Sequence, residues 1–463
     1  MRLFNTLGHA VQTFEPVTPP EVRMYVCGIT PYDETHLGHG RCYVVFDLLR
    51  RLLARRGFRV TTLQNFTDID DKILTRAREE GVPPAEIAGR YIASYHEAER
   101  RLNILPADRY PRVTDHISDI IVAVTSLVKR GYAYVTPSGV YFDLGRFPFY
   151  GRLSGRNRED LVAGARVEPD ETKRSPMDFA VWKSARDGDA VSWDSPWGKG
   201  RPGWHIECSV MSMKYLGETL DVHGGGQDLI FPHHENEIAQ SEALTGKLFA
   251  RYWVHNGFVT INSQKMSKSL KNSFSLTDIF AMHDPMVVRL FLLSQHYRQP
   301  LDYSDQELRQ FAAVYQRLRN ARDAALFALG TGGEGRAVEE RARAQVDDAV
   351  AAFDRAMDDD LNTSAALGAL HAVVGILNGV RGQGTTGTLQ YVYGAFRSLL
   401  DALGIALPDA GSVPDAIAAL VARRQAARAA RNFAEADRIR AELAAQGYTV
   451  EDTSNGPFVR RRS

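Results

Sequence analysis

The sequence has few cysteines, no excess of charge of either sign and no run of about 18 apolar residues. Three cysteines (Cys27, Cys42, Cys208) are too few for a disulfide framework. Lys plus Arg and Asp plus Glu both number 56, so any contact with nucleic acid must depend on local basic patches. The start also lacks an apolar stretch suited to a signal peptide. We therefore expect a cytoplasmic protein with reduced thiols and no membrane partner.

Length and composition are those of an ordinary multidomain enzyme. The chain has 463 residues, of which 44% are hydrophobic and 24% charged. This length suits two to four domains, each with its own core.

The first part of the chain has the pattern of a nucleotide-binding α/β domain. A predicted strand at 21–27, an amphipathic helix at about 40–56 and a strand at 59–65 form a βαβ unit. Such a unit opens a Rossmann-like doubly wound sheet, which binds ligands beyond the carboxyl ends of its strands. Residues from about 75 to 200 look like an insertion, with a hairpin predicted at 132–144. Sheet-like sequence then returns on either side of a helix predicted over 228–245. We assign 1–260 to this domain.

The second part is predicted to be helical. Helical periodicity dominates from about 305, with a Gly-rich break at 330–335 and a Pro/Gly linker near 407–413. We expect an all-α bundle over 305–404 and a small module over 414–463, made of two Ala/Arg-rich helices and a short tail. Residues 261–304 are assigned to a separate region that carries the polar loop Lys265–Ser269.

Two short motifs suggest a site for phosphates. His36, Gly38 and His39 lie in the turn that enters the first long helix, where free backbone N–H groups and imidazoles suit an anion. Lys265 and Lys268 flank Ser267 on a polar loop. Either motif alone has an ordinary explanation, a capping turn or two solvated lysines. In this order, after a βαβ unit, they resemble the HIGH and KMSKS signatures of class I aminoacyl-tRNA synthetases.

A second group of residues could bind a metal. Cys27 ends the first strand, Cys208 follows a Trp-His-Ile-Glu string, and His233 and Glu237 are four apart on one helix face. Two thiolates, an imidazole and a carboxylate form a plausible tetrahedral zinc set. Spacing does not settle the matter, because a buried cysteine is most often a small hydrophobe. We interpret Cys42 in that way, as core packing.

Longer strings resemble the cysteinyl-tRNA synthetase family. They are CGITPYD at 27–33, NFTDIDDK at 65–72, GWHIECS at 203–209, HGGGQDLIFPHHENE at 223–237 and the tail from Phe433. The resemblance spans most of the chain. It implies that Cys27, Cys208, His233 and Glu237 bind one Zn²⁺ per chain in the active site.

The resemblance also implies roles for other polar residues. Thr30, Thr67, Trp204 and Asp228 would orient the substrate cysteine, with Asp228 suited to its ammonium group or to ATP. Three histidines would form a floor beneath the metal, although each could be an ordinary core histidine: His205, His223 and His234. Backbone at Gly224, Gly225 and Gly226 would approach ATP closely.

The implied reaction is the activation of L-cysteine by ATP, which carries Mg²⁺, and its transfer to the terminal adenosine of tRNA(Cys). A direct zinc–sulfur bond would separate cysteine from serine better than an apolar pocket can. The C-terminal half would bind tRNA, and the family suggests a monomer. Basic character there comes from Arg423, Arg424, Arg428, Arg431, Arg438 and Arg440. Phe458 could stack on a base, although relatives usually carry Trp near this point.

Two alternatives remain open at this stage. CGITPYD together with His36–His39 is closer to a mycothiol-pathway ligase, which passes activated cysteine to an amino sugar. His223, the string at 65–72 and the anticodon-type tail favour a synthetase instead. A non-catalytic RNA-binding paralogue should have lost a metal or phosphate position, and the sequence retains them all.

Overall fold

The computed structural model describes residues 1–155, 171–186, 189–261, 264–265, 274–331, 335, 337–381, 384–408, 413–453 and 456–461. Its strands, numbered along the chain, are β1 (Arg2–Asn5), β2 (Ala10–Thr13), β3 (Glu21–Val26), β4 (Arg59–Gln64), β5 (Ala133–Thr136), β6 (Gly139–Phe142), β7 (Phe179–Ser184), β8 (Gly200–Pro202), β9 (Leu220–Gly226), β10 (Ala250–Asn256), β11 (Val259–Ile261), β12 (Gln264–Lys265), β13 (Leu301–Asp302), β14 (Tyr448–Thr453) and β15 (Gly456–Arg461).

The α-helices are α1 (Leu37–Arg55), α2 (Asp71–Glu80), α3 (Pro84–Arg101), α4 (Ile117–Lys129), α5 (Trp204–Leu216), α6 (Glu235–Thr245), α7 (Leu276–Met282), α8 (Pro285–Leu292), α9 (Asp305–Thr331), α10 (Glu340–Asp358), α11 (Thr363–Val380), α12 (Thr386–Leu403), α13 (Asp415–Ala429) and α14 (Phe433–Ala445). The chain divides into two compact units. The first comprises 1–285, 295–304 and 358–361, and the second comprises 286–294, 305–357 and 362–463.

A parallel sheet in the order β10-β9-β3-β4 forms the centre of the first unit. Its strands are largely buried, as expected where helices cover both faces of a parallel sheet. Helix α1 crosses from β3 to β4 and starts at Leu37, earlier than the predicted 40, because His36 caps it. The predicted α/β fold with a doubly wound parallel sheet is confirmed.

The region between β4 and β9 adds an antiparallel sheet. Strands β5, β6, β7 and β8 pair in that order, and the predicted hairpin near 132–144 corresponds to β5 and β6. A three-stranded sheet follows β10, with β11 antiparallel to β12 and parallel to β13. Lys265 ends β12, so this small sheet carries the first lysine of the second motif.

The second unit is helical as far as α14 and ends in a hairpin. Helix α11 is long and apolar enough by length and composition to span a membrane, a property that core helices share. One of its faces is buried through Leu370, Val373 and Leu377. The predicted short tail is instead the antiparallel pair β14–β15, since Val450 packs with the apolar faces of α13 and α14.

Side chains of the terminal module differ from expectation in two respects. Phe458 is buried against Phe327, with ring centroids 4.9 Å apart, so its proposed stacking on a tRNA base is wrong. Arg424 is also buried, and both of its terminal nitrogens bind Asp452, at 2.7 and 2.8 Å. Arg428 contacts the same carboxylate, whereas Arg431 and Arg440 are exposed.

Candidate active site and metal centre

Four side chains that could hold a metal ion meet at the carboxyl end of β3. Cys27 directly follows that strand, Cys208 lies in the second turn of α5, and Glu237 lies in the first turn of α6. His233 lies in a π-helical turn, Ile230–His234, that leads into α6. All four are buried, and their ligand atoms lie within 4.8 Å of one another. The structure thus brings together residues from three distant parts of the sequence.

The distances fit a tetrahedral ion. The sulfur atoms of Cys27 and Cys208 are 3.9 Å apart, Cys27 Sγ is 3.5 Å from Glu237 Oε1, and His233 Nε2 is 3.0 Å from the same oxygen. Zinc bond lengths of 2.0–2.3 Å place tetrahedral ligands roughly 3.3–3.8 Å apart. Glu237 Oε2 is buried and makes no hydrogen bond among the described residues, although His223 Nε2 lies 3.4 Å from it. Two sulfurs, an imidazole and a buried carboxylate suit a metal cation.

Electrostatics in the cluster also favour a cation. Burial raises the pKa of Glu237, but His223 and His233 outweigh this effect and lower that pKa to about 2. A hydrogen bond from the Cys27 thiol lowers the pKa of Cys208 to about 6, whereas burial raises the pKa of Cys27. Burial lowers the pKa of His233, but Glu237 and Cys208 outweigh this effect and raise it to about 10. Near neutral pH the cluster therefore holds a carboxylate and a thiolate beside one imidazolium, and a metal cation would take the place of that proton.

A second set of donors overlaps the first. Cys27, His223, His234 and Glu237 also have ligand atoms within 4.8 Å of one another. His234 Nε2 lies 3.3 Å from Cys27 Sγ, and His223 Nε2 lies 3.6 Å from it. These imidazoles thus line the buried side of the cluster and can act as its ligands or as its hydrogen-bond partners.

Neighbouring aromatic rings orient His233. Its Nδ1 lies 2.9 Å from Nδ1 of His205, and the ring of Trp204 lies over it with centroids 4.2 Å apart. Burial lowers the pKa of His205 well below its usual value, so that ring stays neutral. Trp204 itself is 41% exposed, which leaves one side of its indole available to a ligand.

Three residues that the sequence did not single out complete the surroundings. Asn65 Oδ1 accepts the Gly28 N–H at 2.9 Å and lies 3.7 Å from Cys208 Sγ. Glu207, next to Cys208, is 2% exposed and accepts a hydrogen bond from Thr67 Oγ1 at 3.1 Å. Glu207 could have been identified from its place in the GWHIECS string.

His255 is the third residue near the cluster that the sequence did not single out. It bridges His234 Nδ1 and Thr6 Oγ1, each at 2.7 Å, and so links the cluster to the start of the chain. No sequence signal marks His255, because its role depends on β10 pairing with β9.

The remaining residues that are predicted to contact the substrate differ in how far they are buried. Thr67 is buried, Thr30 is half-buried and Asp228 is exposed. A Cβ on Gly224 would overlap the ring of Phe46, so packing inside the protein already requires glycine there. Gly225 is buried and Gly226 half-buried at the end of β9. The contribution of these residues to substrate binding stays a prediction.

The structure describes the first phosphate motif completely and the second only in part. His36 and His39 flank the start of α1 with their rings stacked, centroids 3.6 Å apart, and Gly38 lies between them in the first turn. Of the lysine motif, only the backbone of Lys265 is placed, in β12. Lys268 lies outside the described residues.

Three protein-family models match most of the chain. Residues 13–313 match the class I (C) tRNA synthetase catalytic domain, and residues 352–407 match the DALR domain. Residues 410–460 match the cysteinyl-tRNA ligase anticodon binding domain.

Individual cysteine–tRNA ligases are similar to this chain over their full length. Cysteine–tRNA ligase of Caldicellulosiruptor saccharolyticus is 46% identical over 464 residues, covering all of both chains. That of Alkalilimnicola ehrlichii is 49% identical over 472 residues, again covering both completely. In fold, the chain resembles methionyl-tRNA synthetase of Mycobacterium tuberculosis in complex with methionyl-adenylate, with a TM-score of 0.65 and 17% identity over 83% of this chain and 91% of that one.

These relatives do not favour the amino-sugar ligase or the non-catalytic paralogue. Their similarity extends over the catalytic, helical and terminal parts alike. This chain belongs to the cysteine–tRNA ligase family, a family of class I aminoacyl-tRNA synthetases.

Proposed function

We propose that the protein activates L-cysteine with ATP and transfers it to tRNA(Cys), and that the buried donor cluster selects the substrate thiol. The observation that carries this proposal is the meeting of Cys27, Cys208, His233 and Glu237 in one buried cluster. A family that must separate cysteine from serine needs a group that distinguishes sulfur from oxygen. An apolar pocket discriminates such small differences by only about 10–200-fold.

Zinc is the ion that this donor set suits best. Thiolate ligands disfavour magnesium and calcium, and a mixed sulfur, nitrogen and oxygen set at tetrahedral spacing is typical of zinc. When bound there, zinc would supply a Lewis acid that stabilises a thiolate near neutral pH. His205 would hold the ring of His233 in position, and His223 and His234 would support Cys27 and Glu237.

Binding of the nucleotide is assigned to the start of α1. Backbone N–H groups there, together with His36, Gly38 and His39, would contact the phosphates of ATP, which brings its own Mg²⁺. Lys265 and Lys268 would neutralise charge on the departing pyrophosphate. No general base is needed for this step, because the attacking carboxylate of cysteine is already ionised. Thr30, Thr67, Trp204 and Asp228 would orient the amino acid.

We assign the α/β catalytic domain to 1–260, with its insertion at about 75–200. The chain after this domain would bind tRNA, beginning with a stem-contact region at 261–304. The bundle at 305–404 would contact the anticodon stem, and the module at 414–463 would contact the anticodon. We propose that the protein works as a cytoplasmic monomer.

Metal analysis combined with ATP–pyrophosphate exchange tests this function. We expect one zinc per purified chain and an exchange rate that depends on cysteine and is lower with serine by at least about 10³-fold. Equal rates with cysteine and serine, or full activity after zinc is removed by a chelator, would contradict the proposed selection. Transfer of the activated cysteine to an amino sugar in place of tRNA would support the alternative ligase.

A further inference from the structure

Arg41 is a buried arginine in the first turns of α1. It lies two residues after His39 and is 0% exposed. Its Nη1 donates to the carbonyl of Phe258 at 2.7 Å, and its Nη2 donates to the carbonyls of Gln299 at 2.5 Å and His296 at 3.2 Å. The guanidinium therefore binds main-chain oxygens from two separate segments.

Those segments form the base of the small sheet that carries Lys265. Phe258 immediately precedes β11, which pairs with β12, where Lys265 pairs with Thr260. His296 and Gln299 precede β13, which pairs with β11 on its other side. Arg41 thus connects the helix start that bears one phosphate motif to the sheet from which the other motif extends.

Among the residues that the structure describes, carbonyl dipoles alone balance the charge of Arg41. No salt bridge of Arg41 is found in the part of the chain that the structure describes, and its Nε there has no partner. Burial lowers its pKa to about 10, so it remains charged at neutral pH. A buried cation without a counter-ion is costly, but an apolar side chain there would take the hydrogen-bond donor away from carbonyls such as that of Gln299. The position therefore requires a side chain that can donate to both segments at once.

We propose that Arg41 is a positioning residue for adenylation, which fixes the base of the β12-β11-β13 sheet against the helix start at His36 and His39. The inference rests on the proposed function, in which both motifs bind ATP. The planar guanidinium can hold several carbonyls at once, which a lysine ammonium on its flexible stem does less well. Displacement of reacting groups by about 1 Å can cost 10²-fold in rate.

Arg41→Lys and Arg41→Gln test the proposal in cysteine-dependent ATP–pyrophosphate exchange. We expect kcat to fall about 10-fold in Arg41→Lys, which keeps the charge, and about 100-fold in Arg41→Gln. KM for cysteine and the zinc content should stay within twofold of wild type. Arg59→Gln, at an exposed arginine paired with Glu21, is the matched control and should leave all values unchanged.

A second variant, Gly257→Ala, changes the same contact at the carbonyls that accept from Arg41. A Cβ on Gly257 would lie 2.6 Å from the carbonyl of Gln299 and 2.7 Å from that of Arg298. Gly257→Ala should therefore move the acceptors of Arg41 and lower kcat in the same selective way, which keeps the test valid if the Arg41 variants do not fold.

An unchanged kcat in a folded Arg41 variant, or a parallel loss of zinc and cysteine affinity, would overturn the inference. Wild-type enzyme without cysteine-dependent exchange would instead contradict the proposed function. The two failures are therefore distinguishable.

Discussion

Asn65 holds Gly28 from two sides. Its Oδ1 accepts the Gly28 N–H at 2.9 Å, and its main-chain carbonyl occupies the space that a Cβ on Gly28 would need. Since Gly28 follows Cys27 directly, this contact between the ends of β3 and β4 sets where the Cys27 sulfur lies. Asn65 Oδ1 also lies 3.7 Å from Cys208 Sγ, so one amide supports both thiols.

Gly28→Ala should therefore disrupt the metal centre. The added methyl group would overlap the backbone of Asn65, which cannot yield as a flexible side chain can. We expect zinc per chain to fall by more than half, as measured by elemental analysis of the purified protein. Gly89→Ala is the control, because a Cβ there meets no atom within 4 Å. Equal zinc in both variants would show that the contact does not position Cys27.

Cys208→Ser should weaken zinc and cysteine binding together. A hydroxyl is a much poorer zinc ligand than a thiolate. We expect zinc affinity to fall at least about 100-fold, measured by competition with a chelator, and KM for cysteine to rise in parallel. Cys42→Ser makes the same chemical change at a buried thiol of α1 and should leave both values unchanged. Normal cysteine affinity in Cys208→Ser would contradict the assigned role.

The double variant Arg431→Ala/Arg440→Ala should weaken tRNA binding. Both side chains are exposed. Arg438 is exposed as well, but it is paired with Glu435 at 2.7 Å. Loss of two phosphate contacts should raise KM for tRNA about 10-fold and reduce its salt dependence. Pyrophosphate exchange, which needs no tRNA, should stay unchanged. An Arg438→Ala variant with the same loss would show that pairing with Glu435 does not keep an exposed arginine from contacting tRNA.

Asp452→Asn should loosen the terminal hairpin. Hydrogen bonds from Arg424 lower the pKa of Asp452 to about 2, below the value of about 3.9 in an unfolded chain. The pair therefore stabilises the fold above about pH 4 and loses this effect as the pH falls towards 2. Asp452 is 36% exposed, so solvent screening limits the loss to about 1 kcal/mol.

Amide hydrogen exchange over β14 and β15 measures this effect. Wild-type protection, corrected for intrinsic rates, should be constant from pH 7 to 5 and fall below about pH 4, whereas Asp452→Asn should be less protected already at pH 7. Asp348→Asn removes an exposed carboxylate on α10 and should behave as wild type. A wild-type decline beginning near pH 6 would mean that another group controls the hairpin.

Local patterns in the sequence predicted the central fold well. The apolar periodicity of α1 and the strands on either side of it depend on neighbours in the chain, so β3-α1-β4 could be read directly. The helix predicted over 228–245 starts only at Glu235, because Phe231 has extended backbone (φ −137°, ψ 131°). The terminal hairpin was missed because its burial depends on packing against α13 and α14.

The sequence likewise identified residues of the site but did not show how they are arranged in space. Cys27, Cys208, His233 and Glu237 were identified from residue type and family resemblance. Their approach within 4.8 Å depends on how the sheet and helices pack, which spacing alone does not show. His255 and Asn65 contribute through contacts across neighbouring strands, and no periodicity marks such residues.

The stacked pair at the start of α1 also fixes where two protons lie. His36 Nδ1 accepts the backbone N–H of His39 at 3.2 Å, and His39 Nδ1 accepts that of His36 at 3.3 Å. A neutral imidazole that accepts at Nδ1 must carry its hydrogen on Nε2. In this capping arrangement each ring carries its hydrogen on Nε2, and loss of either ring would remove a cap of the helix. The same two rings that stabilise the start of α1 can therefore also offer two Nε2–H donors to an oxyanion.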